Sequence, residues 1–120
     1  MRKDDEIRLR HMLDAAREAV AFARGRTRGD LDNDRQLVLA LVKDVEIVGE
    51  AATQVTKPAR RQLPDIPWER IVGMRNRLVH AYFDINLDIV WETVRGDLPE
   101  LISLLESAIS LERGPTPEAE

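Results

Sequence analysis

The sequence predicts an all-α fold, an antiparallel bundle of four to five helices, and three observations carry that expectation. Ala, Leu, Val, Arg and Glu dominate while aromatic residues make up only 4%, a balance that favours helices. Apolar residues recur at three- and four-residue steps through long stretches, the period of a helix with one buried face. Strand-like alternation never extends beyond a few residues. With 120 residues, 43% of them hydrophobic, the chain can bury one modest core. Residues 1–112 are expected to form that domain. The polar, proline-rich stretch from Arg113 to Glu120 should trail from it as a tail.

The first helix should begin near Asp4 and Asp5, acids suited to the positive end of a helix dipole. Leu9, Met12, Leu13, Ala16, Val20 and Ala23 form its stripe, and Gly25 with the Arg26-Thr27-Arg28-Gly29 segment stops it. His11 lies near the edge of the stripe with no second catalytic-type residue beside it, and is expected to be structural. Asp30 to Asp34 offer several N-caps. A long helix then runs from about Asp34 to Val55 on Leu37, Leu41, Val48, Ala52 and Val55, with Val38, Val42 and Val45 widening the buried face. Asp44 projects into that face. Gly49, Ala51 and Ala52 would let a neighbouring helix come close. Lys57-Pro58 should end the element, because the residue before proline disfavours helical backbone, and residues 58–67 are expected to be a loop.

Pro67 starts a central helix, with Trp68 as an anchor, continuing to about Ala81. Residues Tyr82 to Asn86 read as a turn, with Asn86 or Asp88 capping a last helix. That helix carries Ile89, Val90, Val94, Leu98, Leu101, Leu105 and Ala108, with Trp91 beside them. Gly96 and Pro99 inside it predict a kink or short break.

Several function classes fall away. The chain has no cysteine, which removes disulfides, thiolate nucleophiles and Cys-ligated metals. Two histidines, His11 and His80, cannot build a zinc site in one chain without carboxylates, and neither a metal nor a cofactor is expected. No apolar run approaches the roughly 18 residues of a membrane span, and the charged N-terminus lacks a signal-peptide core; a cytoplasmic location is the default. A net charge of −4 argues against general coating of nucleic acid. The charge is unevenly placed, though: residues 57–77 hold six basic side chains against two acidic ones, and residues 84–120 hold nine acidic against two basic. A local anion site in an acidic protein is therefore a reasonable expectation.

The basic block leads into the central helix. Plotted at about 100° per residue, Ile71, Val72, Met74, Leu78, Val79, Ala81, Tyr82 and Phe83 fill an arc roughly 200° wide, about twice what a surface helix needs. Such a helix should be covered on two sides, and a homodimer is the simplest cover. Arg75 falls inside this arc, with Asn76 and His80 on its rim. A guanidinium does not shed its charge, so a sheltered Arg75 needs an anion: a carboxylate of the fold, with Asp44 the candidate, or a phosphate of a ligand.

Arg75-Asn76-Arg77-Leu78-Val79-His80-Ala81-Tyr82 resembles the motif of HepT toxins, in which an arginine is followed after four residues by a histidine and after one more by a tyrosine. These belong to the HEPN superfamily of small helical ribonucleases. Ile66-Pro67-Trp68, the Asp44 to Ala51 stretch and the Asp88 to Val94 stretch also resemble that family's pattern, over roughly residues 4–110. The resemblance implies a metal-independent endoribonuclease toxin, dimerising through the motif helix. Its partner would be a minimal nucleotidyltransferase antitoxin of the MntA type, which transfers AMP from ATP to the motif tyrosine. By that resemblance Arg75 and His80 are catalytic, Tyr82 is the AMP acceptor, and Asn76, Asp44 and Arg77 support the site. A structured RNA end such as that of a tRNA is the implied substrate.

The residue chemistry agrees. Cleaving RNA without a metal needs a base for the 2′-hydroxyl, an acid for the leaving oxygen, and cations around the phosphorane. Imidazole can serve in either proton-transfer role near neutral pH, and arginine's planar fork matches phosphate oxygens. One motif histidine per chain cannot supply both roles, whereas a homodimer brings two. Two alternatives compete with this expectation. One is a non-catalytic helical dimer that binds nucleotide or RNA and presents it to a nucleotidyltransferase. The other is a purely structural dimer in which Arg75 and Asp44 form a salt bridge.

Overall fold

The computed structural model describes residues 1–81 and 84–113, with the side chains of Glu112 and Arg113 left aside. It is 79% helical. The helices are α1 (Lys3–Ala23), α2 (Asp30–Asn33), α3 (Arg35–Gln54), α4 (Lys57–Gln62), α5 (Trp68–Val72), α6 (Met74–Leu78), α7 (Leu87–Glu92) and α8 (Leu98–Arg113), with one π-helical turn, Thr93–Asp97, joining the last two. A two-stranded hairpin, β1 (Val79–Ala81) and β2 (Asp84–Ile85), follows α6. The tail beyond Arg113 and the expectations for Tyr82 and Phe83 lie outside the described residues.

Contacts between distant residues fix the directions. Asp5, near the start of α1, accepts from the backbone N–H and the hydroxyl of Thr56, just past the end of α3, both at 2.8 Å. Arg28, beyond the end of α1, donates to Asp88 at the start of α7, while Arg17 reaches Glu106 on α8. Glu46 pairs with Arg75, and Gly49 lies under the Ile71 and Val72 carbonyls. Each of α3, the α5–α6 segment and α8 therefore runs antiparallel to the helix it packs on. The core is the set of stripes the periodicity gave: Leu9, Met12 and Ala16 of α1, Leu41, Val45, Val48 and Ala52 of α3, Ile71, Met74 and Leu78 of the central segment, and Val94, Leu98, Leu101 and Leu105 at the far end.

Local chemistry explains the boundaries. Gly25 ends the α1 region at φ 74°, a backbone conformation open to glycine. Asp34 caps α3 by accepting from the Leu37 N–H at 3.0 Å, and Asn86 caps α7 through the Ile89 N–H at 3.1 Å. The expected loop after α3 is instead partly helical. Thr56 is an N-cap and Pro58 stands in the first turn of α4, where its missing N–H costs nothing. Arg60 of that helix donates to the Val55 and Ala52 carbonyls, covering acceptors that the end of α3 leaves open. It also lies 5.5 Å from the Trp68 ring centroid, and Trp68 anchors itself through Nε1 on the Leu63 carbonyl. The break expected at Gly96 and Pro99 is the π turn. Pro99, second in α8, has no N–H to continue an α-helical ladder across the junction.

The central helix departs most from expectation. It breaks at Gly73, ends at Leu78 and gives way to a strand. The Val79 N–H closes the last turn onto the Arg75 carbonyl, and the Asn86 N–H then takes the Leu78 carbonyl at 2.8 Å. The residues that widened the apolar arc, Val79 and Ala81, belong to a hairpin, so the helical segment buries only Trp68, Ile71, Met74 and Leu78.

Candidate active site

Helix α6 is one and a half turns long, and its burial is simple. Met74 and Leu78, four residues apart, enter the core, leaving Arg75, Asn76 and Arg77 exposed. The sheltered arginine expected from the helical projection is thus corrected: the Arg75 side chain is 46% exposed. Its anion is also a different one. Arg75 Nε donates to Glu46 Oε1 at 3.1 Å, across a groove of about 340 Å³ lined by Glu46, Gly49, Glu50, Thr53, Val72, Arg75 and Asn76. Glu46 was missed because it sits on the rim of α3 and not at an apolar position. Its signal was its distance from Asp44: two residues on a helix turn by about 200°, which places Glu46 on the side opposite Asp44.

Asp44 lies in a different groove, between α1 and α3, with His11, Asp14, Ala15, Glu18 and Ile47. It is buried, and its Oδ2 has no hydrogen-bond partner. Burial, and then the adjoining Glu18 carboxylate, push its carboxyl up to about 7. The structure does not bring Asp44 to Arg75, and the salt bridge expected between them is replaced by the Glu46 pair. His11 is exposed at the same groove.

Arg77 points away from Arg75, as residues two apart on a helix do. Its guanidinium is 3.9 Å from Asp97 on the π turn, which also accepts from Arg70 at 2.9 Å. The π turn therefore places one carboxylate between two arginines of the basic block.

His80 is on β1, not on a helix. Val79 pairs with Ile85 and Ala81 with Asp84, so two steps along β1 match one step along β2 and His80 is the extra residue of a bulge. Such bulges re-aim a side chain and recur beside active sites. Val79 is buried and His80 exposed, and among the described residues no side chain bonds to its ring. Arg75, Asn76 and His80 are thus presented to solvent from one helix exit, with a guanidinium held in place by a carboxylate and an exposed imidazole. Tyr82, two residues on, lies outside the described residues. Among the described residues no group of three or more His, Asp or Glu side chains is placed to hold a metal ion, and no helix is long and apolar enough to cross a membrane.

The family model described as Ribonuclease HepT-like matches residues 12–108. The chain belongs to this family. Three HepT-like relatives illustrate the match. "Putative RNase TTE0752" of Caldanaerobacter subterraneus subsp. tengcongensis is 33% identical over 105 residues, covering 88% of this chain and 94% of its own. "Putative RNase MJ1380" of Methanocaldococcus jannaschii is 29% identical over 100 residues, 83% of this chain and 92% of its own. "Probable ribonuclease HepT" of Thermococcus cleftensis is 37% identical over 68 residues, 57% of this chain and 62% of its own. No solved structure gives a significant match. The HepT-like match spans the α6–β1 junction, so the exposed arginine and histidine lie inside the family's domain.

Proposed function

We propose that this HepT-like chain is an endoribonuclease toxin, cleaving RNA without a metal at a cleft shared by two copies of the chain. The observation that carries the proposal is the joint exposure of Arg75 and His80 at one helix exit, in a chain whose relatives are named as RNases. The chemistry divides between two protomers. One His80 takes the proton of the 2′-hydroxyl as it attacks the adjacent phosphorus, and the partner's copy gives a proton to the departing 5′-oxygen. The guanidinium of Arg75 stabilises the charge that builds on the phosphorane oxygens. Asn76, beside it in the groove, donates to a non-bridging oxygen or a base edge, while Arg77, turned toward Asp97, adds only to the positive charge of the segment.

In this proposal a minimal nucleotidyltransferase of the MntA type neutralises the toxin by moving AMP from ATP onto the hydroxyl of Tyr82. The added phosphate, two residues from His80, repels substrate phosphate and fills the cleft. The substrate is a structured RNA end such as that of a tRNA, which suits a local basic site on an acidic protein.

The deciding experiment is cleavage of tRNA and unstructured RNA by purified protein in the presence of a chelator, with Arg75→Ala and His80→Ala as controls. Loss of cleavage in both variants, with unchanged circular dichroism and an intact dimer, is expected. Cleavage retained in both would remove the proposed chemistry. Stoichiometric nucleotide binding with no cleavage of any RNA would leave a binding module instead. Mass spectrometry after incubation with antitoxin and ATP should show the mass of AMP on wild type and none on Tyr82→Phe.

A further inference from the structure

The groove between α1 and α3 has no part in the chemistry above, yet it contains the most unusual side chain of the core. Asp44 is 2% exposed, and its Oδ2 has no hydrogen-bond partner. A buried, unsatisfied carboxyl oxygen is costly to keep unless something at times satisfies it. The groove it lines measures about 250 Å³ and presents Asp14 and Glu18 of α1 with His11 at its edge, over an apolar floor of Ala15 and Ile47.

The surroundings are as telling. Five large hydrophobic side chains stand exposed among the described residues: Ile7, Phe22, Leu39, Ile47 and Leu111. Ile7 and Phe22 lie on the α1 stripe that carries His11, Asp14 and Glu18, at helical spacing. Leu39 and Ile47 lie on one face of α3 at 39, 43 and 47, with Lys43 between them. Four of the five thus flank one groove whose lining carboxyls, Asp14, Glu18 and Asp44, outnumber its basic groups, and an apolar surface around such a cluster marks a protein interaction site.

We propose that the α1–α3 groove is a docking site for a partner protein that inserts an arginine between apolar side chains. A guanidinium is the group that fits: its planar fork can donate to Asp44 and Glu18 together, and its stem lies along Ala15 and Ile47. The exposed Glu18 side chain rotates to admit it and then closes on its outer edge. Lysine offers only a point charge, and a second copy of the chain would bring its own Asp14, Glu18 and Asp44 against the same acids. Protonation supports the geometry: Asp44 titrates near 7 through burial and the adjoining Glu18, so an entering cation displaces a proton. His11, Asp14 and Glu18 from α1 and Lys43 from α3 are the other titratable groups around the groove.

The test uses the full chain and a synthetic helical peptide with leucines on one face and a single arginine among them, beside the same peptide carrying citrulline. Calorimetry at pH 6 in buffers of different ionisation enthalpy reads both affinity and proton release. Saturable binding of the arginine peptide is expected, with up to one proton released per complex. The citrulline peptide should bind at least tenfold more weakly, and Asp44→Asn should lose both tenfold in affinity and the proton. Glu18→Gln, a surface change, should weaken binding and keeps the test decisive if Asp44→Asn is poorly folded. Equal affinity for the two peptides, no binding by folded wild type, or indifference to both substitutions would overturn the proposal. So would a Phe22→Ser, Ile47→Ser double variant that converts a dimer to monomer while peptide affinity stays unchanged, since a second copy would then be the occupant.

Discussion

Glu46 and Arg75 meet across the groove between α3 and α6, Oε1 of one accepting from Nε of the other at 3.1 Å. The pair joins the middle of a long, well-anchored helix to a helix of five residues. It holds the guanidinium by its Nε edge and leaves the outer fork toward solvent, where an anion can approach. Both side chains are partly exposed, so the pair contributes orientation more than stability.

Glu46→Ala separates those two contributions. Thermal stability should change by no more than about 1 kcal/mol, whereas RNA cleavage should fall on the order of tenfold because the guanidinium is no longer held in position. Melting curves beside single-turnover cleavage rates make the comparison. A large loss of stability with full cleavage would show the carboxylate to be structural.

Asp44 gives stability a pH dependence of definite sign. Its carboxyl titrates near 7 in the folded protein and near 4 when unfolded, so the folded state holds the extra proton between those values. The contribution is whole below about pH 4 and is lost as pH rises through about 7, by at most about 4 kcal/mol. Asp30 and Asp34 act the other way. Their carboxyls are lowered, by the Thr27 N–H and Arg26 in one case and by Arg26 and the Leu37 N–H in the other, so their share disappears only in stronger acid. Chemical denaturation at intervals from pH 4 to 8 should show wild type weakening toward 8. Asp44→Asn should show a flatter profile over the same interval.

Asp5 ties the first turn of α1 to the α3–α4 junction through two bonds to Thr56. Asp5→Ala leaves the partly buried Thr56 N–H without its acceptor, which costs about 1–2 kcal/mol. The melting temperature should drop by several degrees. Thr56→Ser keeps both bonds and should melt close to wild type.

Gly49 looks obligatory where α3 meets α5 and is not. A Cβ there would stand 3.5 Å from the Ile71 carbonyl oxygen and 3.8 Å from that of Val72, ordinary contact distances. Gly49→Ala should be neutral or stabilise by up to about 1 kcal/mol through helix propensity. Gly49→Leu should destabilise, since the longer side chain must displace α5 or leave its rotamer. Denaturant midpoints of the two variants provide the check.

These cases show what the sequence made legible. The long helices were readable because each carries a stripe over four or more turns, and local capping at Asp34 and Asn86 fixed two of their starts. The end of the central helix was not. Nothing at Val79 forbids another helical turn; the strand exists because Asp84, Ile85 and Asn86 supply partners from further along the chain. Projecting strand residues onto a helical wheel then inflated the apolar arc and drew Arg75 into a shelter it does not have. Asp44 was correctly read as buried, but periodicity gives a face and not the identity of the neighbour. The carboxylate that holds the arginine therefore went to the wrong residue by half a turn. The arginine and histidine were singled out by the resemblance of their pattern, and the structure adds that both are exposed.

The bulge at His80 makes the interval between arginine and histidine a composite length. Up to Leu78 each added residue would swing the arginine by about 100°; beyond it, each added residue would flip the imidazole to the opposite face of the ribbon. Tolerance to insertion should consequently differ on the two sides of Leu78, with pairs of residues accommodated in the hairpin and neither one nor two accommodated in the helix. A chain built this way keeps the count between the two side chains for two unrelated geometric reasons at once.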